Sequence, residues 1–344
     1  MSGTNDQTHK DGNTKWASSD GEFRRQTSSF RSLVQPNSPH PPARNRYKLF
    51  VALACPWAHR ALIVRKLKGI DKVSDLLPVY VVDSLLGPEG WSWKPYGETH
   101  DELKGLGVPG TGPPPGHEDK VRIKDFYLQA DPQYGARSTV PVLWDEEKKT
   151  IVSNESSELI RNLNEAFDEF VPEEYRGKTY YPQELRKEID EVNEWVYSDV
   201  NNGVYKTGFA TTQQAYENNF VPLFKALDKL EAMLAKKGCK DSKKPVYLVG
   251  DQMTEADIRL YTTIVRFDPV YHTHFKCNKH QIRDEAVYPN LHKWLRHLYW
   301  GDEAFKSTTD FESIKAHYYQ SHPGNNPHRI VPSGPLPHIR GLDE

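Results

Sequence analysis

Tyr47-Lys48-Leu49-Phe50-Val51-Ala52-Leu53-Ala54-Cys55-Pro56-Trp57-Ala58-His59-Arg60 decides how this chain is read. The first half is a short β-type apolar run. Proline at 56 then suits a first helical position, where an N–H would have no partner. Helical spacing continues to Lys68, with Leu62, Ile63 and Leu67 on one side and Arg60, Arg65, Lys66 and Lys68 largely on another. Pro78 to Asp83 is a second apolar run, of the kind buried on both faces of a parallel sheet. Residues 47–83 therefore read as β-α-β, with a right-handed crossover expected. Cys55 falls at the strand-to-helix junction, as N-cap. Unpaired N–H groups and the positive end of the helix dipole would face its sulfur, favouring thiolate and lowering the thiol pKa. A buried, inert cysteine is the competing reading.

Position 58 is Ala, so Cys55 lacks the second thiol of a Cys-x-x-Cys pair. An oxidised or thiolated Cys55 would need an external thiol for release, which implies a monothiol cycle with a small thiol co-substrate.

Further along, Ile123–Ala130 reads as a short helix, Val140–Trp144 as a strand, Asp145–Lys149 as a polar turn and Thr150–Val152 as the returning strand. Asn154-Glu155-Ser156-Ser157 opens a helix to about Asn164, with Ser and Asn as good N-caps. The order β-α-β-α-β-β-α is the thioredoxin-like arrangement. A proline inside a strand needs a reason. In that fold Pro141 would be cis and opposite Cys55, with Val140 offering its backbone to an extended peptide; an edge-strand proline is the alternative. Glu155 and Ser156 at a helix start suit the ammonium and carboxylate ends of an amino acid, though capping alone would explain Ser156.

Between the second strand and Ile123, residues 84–122 form an insertion dense in glycine and proline, which no helix survives. It carries Trp91, Trp93 and Tyr96, so it is expected to pack over the site. Residues 1–46 are read as a disordered N-terminus (1 to about 20) followed by an extended arm holding Phe23, Phe30, Leu33 and Val34. After the 47–168 unit, residues 169–316 become all helical: Leu185, Ile189, Val192 and Val196 have helical spacing, as do Phe220, Phe224, Leu227, Leu230 and Leu234. Thr254-Glu255-Ala256-Asp257 has the form of a capping box. Residues 317–344 are expected as a C-terminal extended arm.

The chain has 344 residues, with Lys+Arg 45 and Asp+Glu 47 for a net charge of -2, which argues against nucleic acid or an anionic membrane as main partner. Three cysteines leave an odd one and speak against a disulfide-stapled secreted scaffold. No stretch approaches the roughly 18 apolar residues of a membrane span. The polar N-terminus and the ending Gly341-Leu342-Asp343-Glu344 carry no recognisable address, so cytoplasm is expected. His272, His274, Cys277 and His280 lie close in sequence but match no zinc spacing, and no metal is expected there.

With these residues in hand, the chain resembles the glutathionyl-hydroquinone reductases, the xi class of the glutathione transferase superfamily. The resemblance runs from about Phe23 to Pro335. It is carried by Cys55-Pro56-Trp57-Ala58-His59-Arg60, Gly90-Trp91, Thr139-Val140-Pro141-Val142-Leu143-Trp144-Asp145 and Asn154-Glu155-Ser156-Ser157. Asn201-Asn202-Gly203-Val204-Tyr205-Lys206, Thr254–Leu260, Arg266-Phe267-Asp268, Phe275–Asn278 and Asn326-Pro327 belong to it too. Omega-class relatives share only the Cys-Pro portion.

The resemblance implies a thioredoxin-like domain, an all-helical domain and a homodimer. It implies reduction of glutathionyl-hydroquinones by a second glutathione, through a mixed disulfide on Cys55. Tyr205 or Tyr271 would donate the ring proton. Trp91 would stack on glutathione, Val140 and Pro141 would meet its backbone, and Glu155 and Ser156 would hold the γ-glutamyl end. Arg137 would meet a carboxylate. Glutathione is then the co-substrate and no metal is needed. Two other readings stay open: an omega-like thioltransferase or dehydroascorbate reductase, and a non-catalytic docking module.

Overall fold

The computed structural model describes residues 16–344. The disorder expected for residues 1–15 lies outside them. Residues 16–20 differ from that expectation, because Trp16 stacks on Phe209 with ring centroids 5.1 Å apart.

The N-terminal unit runs β1 (Tyr47–Val51), α1 (Pro56–Leu67), β2 (Val79–Val81), β3 (Leu86–Gly87), β4 (Gly90–Trp91), α2 (Ile123–Ala130), β5 (Val142–Asp145), β6 (Thr150–Ser153) and α3 (Ser156–Leu163). The main sheet has the order β2-β1-β5-β6. β1 is parallel to β2, with Leu49 opposite Val79, and antiparallel to β5, with Phe50 opposite Val142. β5 and β6 form the expected hairpin. Phe50 anchors an aromatic core, with its ring centroid 4.6 Å from Phe126 and 5.3 Å from Trp93, while Phe126 lies 5.0 Å from Trp144. Fully buried Asp145 takes an ion pair from Arg46 at 2.6 Å and a bond with His40 at 2.7 Å, which ties the arm to the sheet.

Two readings of this unit are corrected. β2 is an edge strand of half-buried residues, not one buried on both faces. Its apolar run is instead covered from the side by the insertion: Thr111 donates its N–H to the Val81 carbonyl at 2.8 Å, and its hydroxyl accepts from the Val81 N–H at 2.9 Å. An exposed edge is thus blocked against further pairing. Gly110 makes this crossing possible, since a Cβ there would lie 2.0 Å from the Val81 oxygen. The second correction concerns α1. Its apolar and basic sides do not separate as buried and exposed: Arg60 and Lys68 are buried as Leu62, Ile63 and Leu67 are, because α1 is sandwiched between α3 and the helical unit. Lys68 pairs there with Asp168 at 2.7 Å.

The helical unit contains α4 (Arg186–Trp195), α5 (Gly203–Gly208), α6 (Gln213–Lys236), α7 (Glu255–Ile264), α8 (His272–His274), α9 (Pro289–Gly301), α10 (Glu303–Lys306) and α11 (Phe311–Ser321). π-helical turns at Val196–Asn201 and Phe267–Tyr271 follow α4 and α7. Such turns insert an extra residue and re-aim side chains, often at functional sites. The Thr254/Asp257 capping box forms as expected. Asp257 also accepts from the Leu248 N–H at 2.9 Å and the Trp294 indole at 3.0 Å.

α11 runs past the boundary expected at residue 316. Asp310 caps its start by accepting from the Ser313 N–H at 2.7 Å, and the helix ends at Ser321, two residues before Pro323. The remaining arm is pinned by Arg283 to the Pro337 and His338 carbonyls and by Lys315 to the Ser333 carbonyl. Among the described residues no helix is long and apolar enough to cross a membrane.

Candidate active site

Cys55 is the N-cap of α1, in an extended conformation (φ -74, ψ 119), with Pro56 beginning the helix. The junction opens onto a cleft between the two units. Cys55, Trp91, Arg137, Val140, Pro141, Glu155, Ser156 and Tyr205, named from the sequence as candidates, all line it. The peptide before Pro141 is cis, and the Cys55 thiol lies 3.5 Å from the Val140 carbonyl.

The electrostatics of Cys55 differ from the expectation of a depressed pKa. Burial pushes the thiol up. The Ala58 and Trp57 N–H groups and the Arg266 and Arg25 guanidiniums pull it down, and burial outweighs them. Cys239 is pushed up to about 12 by burial and Cys277 is raised too; both are fully buried. The helix start therefore distinguishes Cys55 without making it a thiolate at rest.

Glu155, rather than Ser or Asn, caps α3, and its side chain accepts from the Ser157 N–H at 3.0 Å. It also accepts from the Ser157 and Ser28 hydroxyls at 2.8 and 3.0 Å. Burial alone would raise this carboxyl, but these bonds and the nearby Arg60 hold it below the usual range, so it is ionised. Buried Ser156 faces the Arg60 guanidinium at 3.4 Å. Burial pushes Arg60 down to about 9. Arg60 also donates to Asn201 at 2.9 Å and lies 4.5 Å above the Trp57 ring. Trp91 stacks on His317 at 5.0 Å.

The two candidate tyrosines part company. Tyr205 lines the cleft, while Tyr271 is fully buried behind it. They are joined by Tyr318, whose hydroxyl lies 2.5 Å from that of Tyr205 and 3.0 Å from that of Tyr271. Burial pushes all three phenols up, so each keeps its proton. Tyr271 meets the cleft through the Tyr318 hydroxyl and against the Tyr205 ring, 6.1 Å from its own.

The N-terminal arm supplies cleft residues that sequence reasoning missed. Arg25 donates to Asn202 at 2.9 Å and stacks over Trp57 at 4.5 Å. Gln26 exchanges bonds with the Arg137 backbone at 2.9 and 3.1 Å. The cluster Phe23–Ser28 has no motif, and only its aromatic and basic composition could have drawn notice. His317, Tyr318 and His322 were missed because the tail was read as extended. The insertion divides: Leu86 and Trp91 border the cleft, whereas Gly110 and Thr111 seal the sheet edge.

No group of three or more His, Cys, Asp or Glu converges on a metal-like centre among the described residues. His274 bonds His322 at 3.1 Å, Cys277 faces the Val204 carbonyl, and His280 lies 3.9 Å from Asp284.

The glutathione S-transferase N-terminal domain family matches residues 54–166, and the C-terminal domain family matches residues 213–297. The chain is 51% identical over 329 residues to "Glutathione S-transferase omega-like 2" of Schizosaccharomyces pombe, covering 95% of this chain and 97% of the relative. The chain belongs to the glutathione S-transferase family. It is 44% identical over 337 residues to the glutathionyl-hydroquinone reductase YqjG of Escherichia coli, covering 95% of this chain and 92% of the relative. It superposes on the Xi glutathione transferase ECM4 from Saccharomyces cerevisiae, solved in complex with glutathione. The TM-score is 0.83 at 47% identity, covering 92% of this chain and 100% of that one. The likeness to xi-class transferases is thus established along nearly the whole chain, and the thioredoxin-like and helical domains are those of the family.

Proposed function

We propose that the chain reduces glutathionyl-hydroquinones to hydroquinones, with glutathione as reductant. The observation that carries this reading is one cleft lined by Cys55, the one of the three cysteines that reaches it, and by Tyr205, the outer phenol of a hydrogen-bonded tyrosine triad. In the first step the Cys55 thiol loses its proton to solvent, and the resulting thiolate attacks the glutathione sulfur of the conjugate. The sulfur–carbon bond breaks, its electron pair stays on the ring carbon, and a proton is added there from Tyr205, resupplied through Tyr318. The products are the hydroquinone and a Cys55–glutathione disulfide. A second glutathione thiolate then attacks that disulfide at the glutathione sulfur, releasing oxidised glutathione and the Cys55 thiolate. Ala58 offers no internal thiol to compete.

In this reading Glu155 and Ser156 hold the γ-glutamyl end and Val140 pairs with the peptide backbone. Trp91 and Arg137 border the bound glutathione. A homodimer in the cytoplasm belongs to the same proposal. The omega-like name of the fission-yeast relative favours a second reading, thioltransferase or dehydroascorbate reductase activity on the same Cys55. The test is turnover of a glutathionyl-hydroquinone with glutathione, run beside hydroxyethyl disulfide, dehydroascorbate and chlorodinitrobenzene. Preference for the hydroquinone conjugate supports the proposal; turnover of the disulfide or dehydroascorbate alone supports the second reading and overturns the first.

A further inference from the structure

Arg266 stands between α7 and the following π-helical turn and is fully buried. No carboxylate pairs with it among the described residues. Its donors go instead to the segment leading into Cys55: Nε to the Ala54 carbonyl at 3.0 Å and Nη2 to the Leu53 carbonyl at 3.2 Å. Nη1 donates to the Thr262 carbonyl at 2.8 Å and to Nδ1 of His59 at 3.0 Å. Since a guanidinium can only donate, His59 Nδ1 is an acceptor and its proton sits on Nε2. That Nε2–H donates to the Thr308 hydroxyl at 2.9 Å, which donates in turn to the Ala304 carbonyl at 2.6 Å. The chain of bonds joins the end of α7, the first turns of α1 and the end of α10.

A buried cation without a counter-ion is costly, even when every donor is satisfied by dipoles. It becomes favourable when a negative charge appears beside it. Among the described residues, the groups near this fork that can become anionic are the sulfur of Cys55, one residue beyond Ala54, and the phenols of Tyr205, Tyr271 and Tyr318; of these the sulfur follows directly on the carbonyls that the fork holds. We infer that Arg266 is a positioning residue that fixes the Leu53–Cys55 turn from the helical unit and supplies the standing positive charge against which the Cys55 thiolate forms. The inference rests on Cys55 being the reacting thiol. The other charged or titratable groups lining the cleft with that sulfur are Arg25 and Arg137 from the arm and the loop before β5, Glu155 at the start of α3, Tyr197 in the first π-helical turn, Tyr205 on α5, and His317 and His322 at α11, with Tyr318 and Tyr271 bonded behind Tyr205. His59 lies behind it and stays neutral, because burial and Arg266 hold its pKa down.

The test is the pH dependence of Cys55 alkylation by iodoacetamide, mapped by mass spectrometry, in the full-length chain and in Arg266→Gln and Arg266→Lys, with melting curves for all three. Removing a nearby opposite charge moves a thiol inflection by about 1 unit or more. Arg266→Gln should therefore shift it upward by about that amount. Arg266→Lys, which keeps the charge but not the fork, should stay within about half a unit of the parent. In both variants the turnover of the Cys55–glutathione disulfide by glutathione should fall about tenfold or more, with little change in the KM for glutathione. An inflection unmoved in folded Arg266→Gln overturns the inference. If Arg266→Gln does not fold, Arg266→Lys decides: an upward shift of about 1 unit or more overturns the charge role, and undiminished turnover overturns the positioning role. Alkylation needs no hydroquinone, so failure of the proposed substrate leaves this readout intact.

Discussion

The Cys55 thiol and the Val140 carbonyl oxygen lie 3.5 Å apart, although 85 residues separate them in sequence. The contact sets the nucleophile against the backbone edge that precedes the cis Pro141. It gives Cys55 an acceptor for its proton-bearing form, in keeping with a thiol that burial raises. Cys55→Ser should lower turnover of a glutathionyl-hydroquinone by about 1000-fold or more, because a hydroxyl cannot form the mixed disulfide. Mass spectrometry after treatment with oxidised glutathione should map one adduct to Cys55. An adduct on Cys239 or Cys277, or retained turnover in Cys55→Ser, would sink the mechanism.

Glu155 is ionised, caps α3 and lines the cleft, so its loss has two separable effects. Glu155→Ala should raise the KM for glutathione by about tenfold, the worth of a charge-assisted contact. It should also cost about 1 kcal/mol of stability through the lost cap. Glutathione saturation and a denaturant titration measure these independently. Unchanged saturation would remove Glu155 from the binding site.

Tyr318 lies between Tyr205 and Tyr271 and resupplies the proton in the proposed cycle. Tyr318→Phe should slow hydroquinone release by about 10-fold to 100-fold. Glutathionylation of Cys55 by oxidised glutathione, which needs no carbon protonation, should be unaffected. Rapid-mixing measurements of the two steps test the distinction, and equal slowing of both would mean that Tyr318 only shapes the cleft.

The Arg46–Asp145 pair provides a pH test of stability. Burial alone would raise the Asp145 carboxyl, but bonds from Arg46 and His40 hold it below its ordinary value. A carboxylate with a lowered native pKa contributes full stability above its unfolded pKa of about 3.9 and loses it as pH falls through the native value. Asp145→Asn should destabilise the protein by about 3 kcal/mol at pH 7, because buried Arg46 loses its buried carboxylate and keeps only the exposed Glu147 2.8 Å away. The gap to the parent should narrow below about pH 4. Urea titrations at pH 7 and pH 3 check the sign; a gap that widens in acid contradicts it.

Local chemistry fixed much of this protein before any contact was known. Pro56 after an apolar strand marks a helix start with Cys55 at its cap, Ala58 rules out a resolving thiol, and the Thr254–Asp257 spacing announces a capping box. These signals are legible because each acts within a few residues, through φ restriction, orphan N–H groups or side-chain reach. The cleft was legible in part, since Val140, Glu155 and Ser156 sit at element boundaries that local patterns reveal. Tertiary structure alone decided the rest. It buried the Cys55 sulfur deeply enough to raise a pKa that the helix start would lower. It drew Arg25 in from the arm, ran α11 far enough to bring Tyr318 between two phenols, placed Tyr271 out of reach, and turned β2 into an edge sealed by Thr111. Desolvation, and contacts across 100 or more residues such as Arg266 with Ala54, depend on how elements pack, which spacing along the chain does not encode.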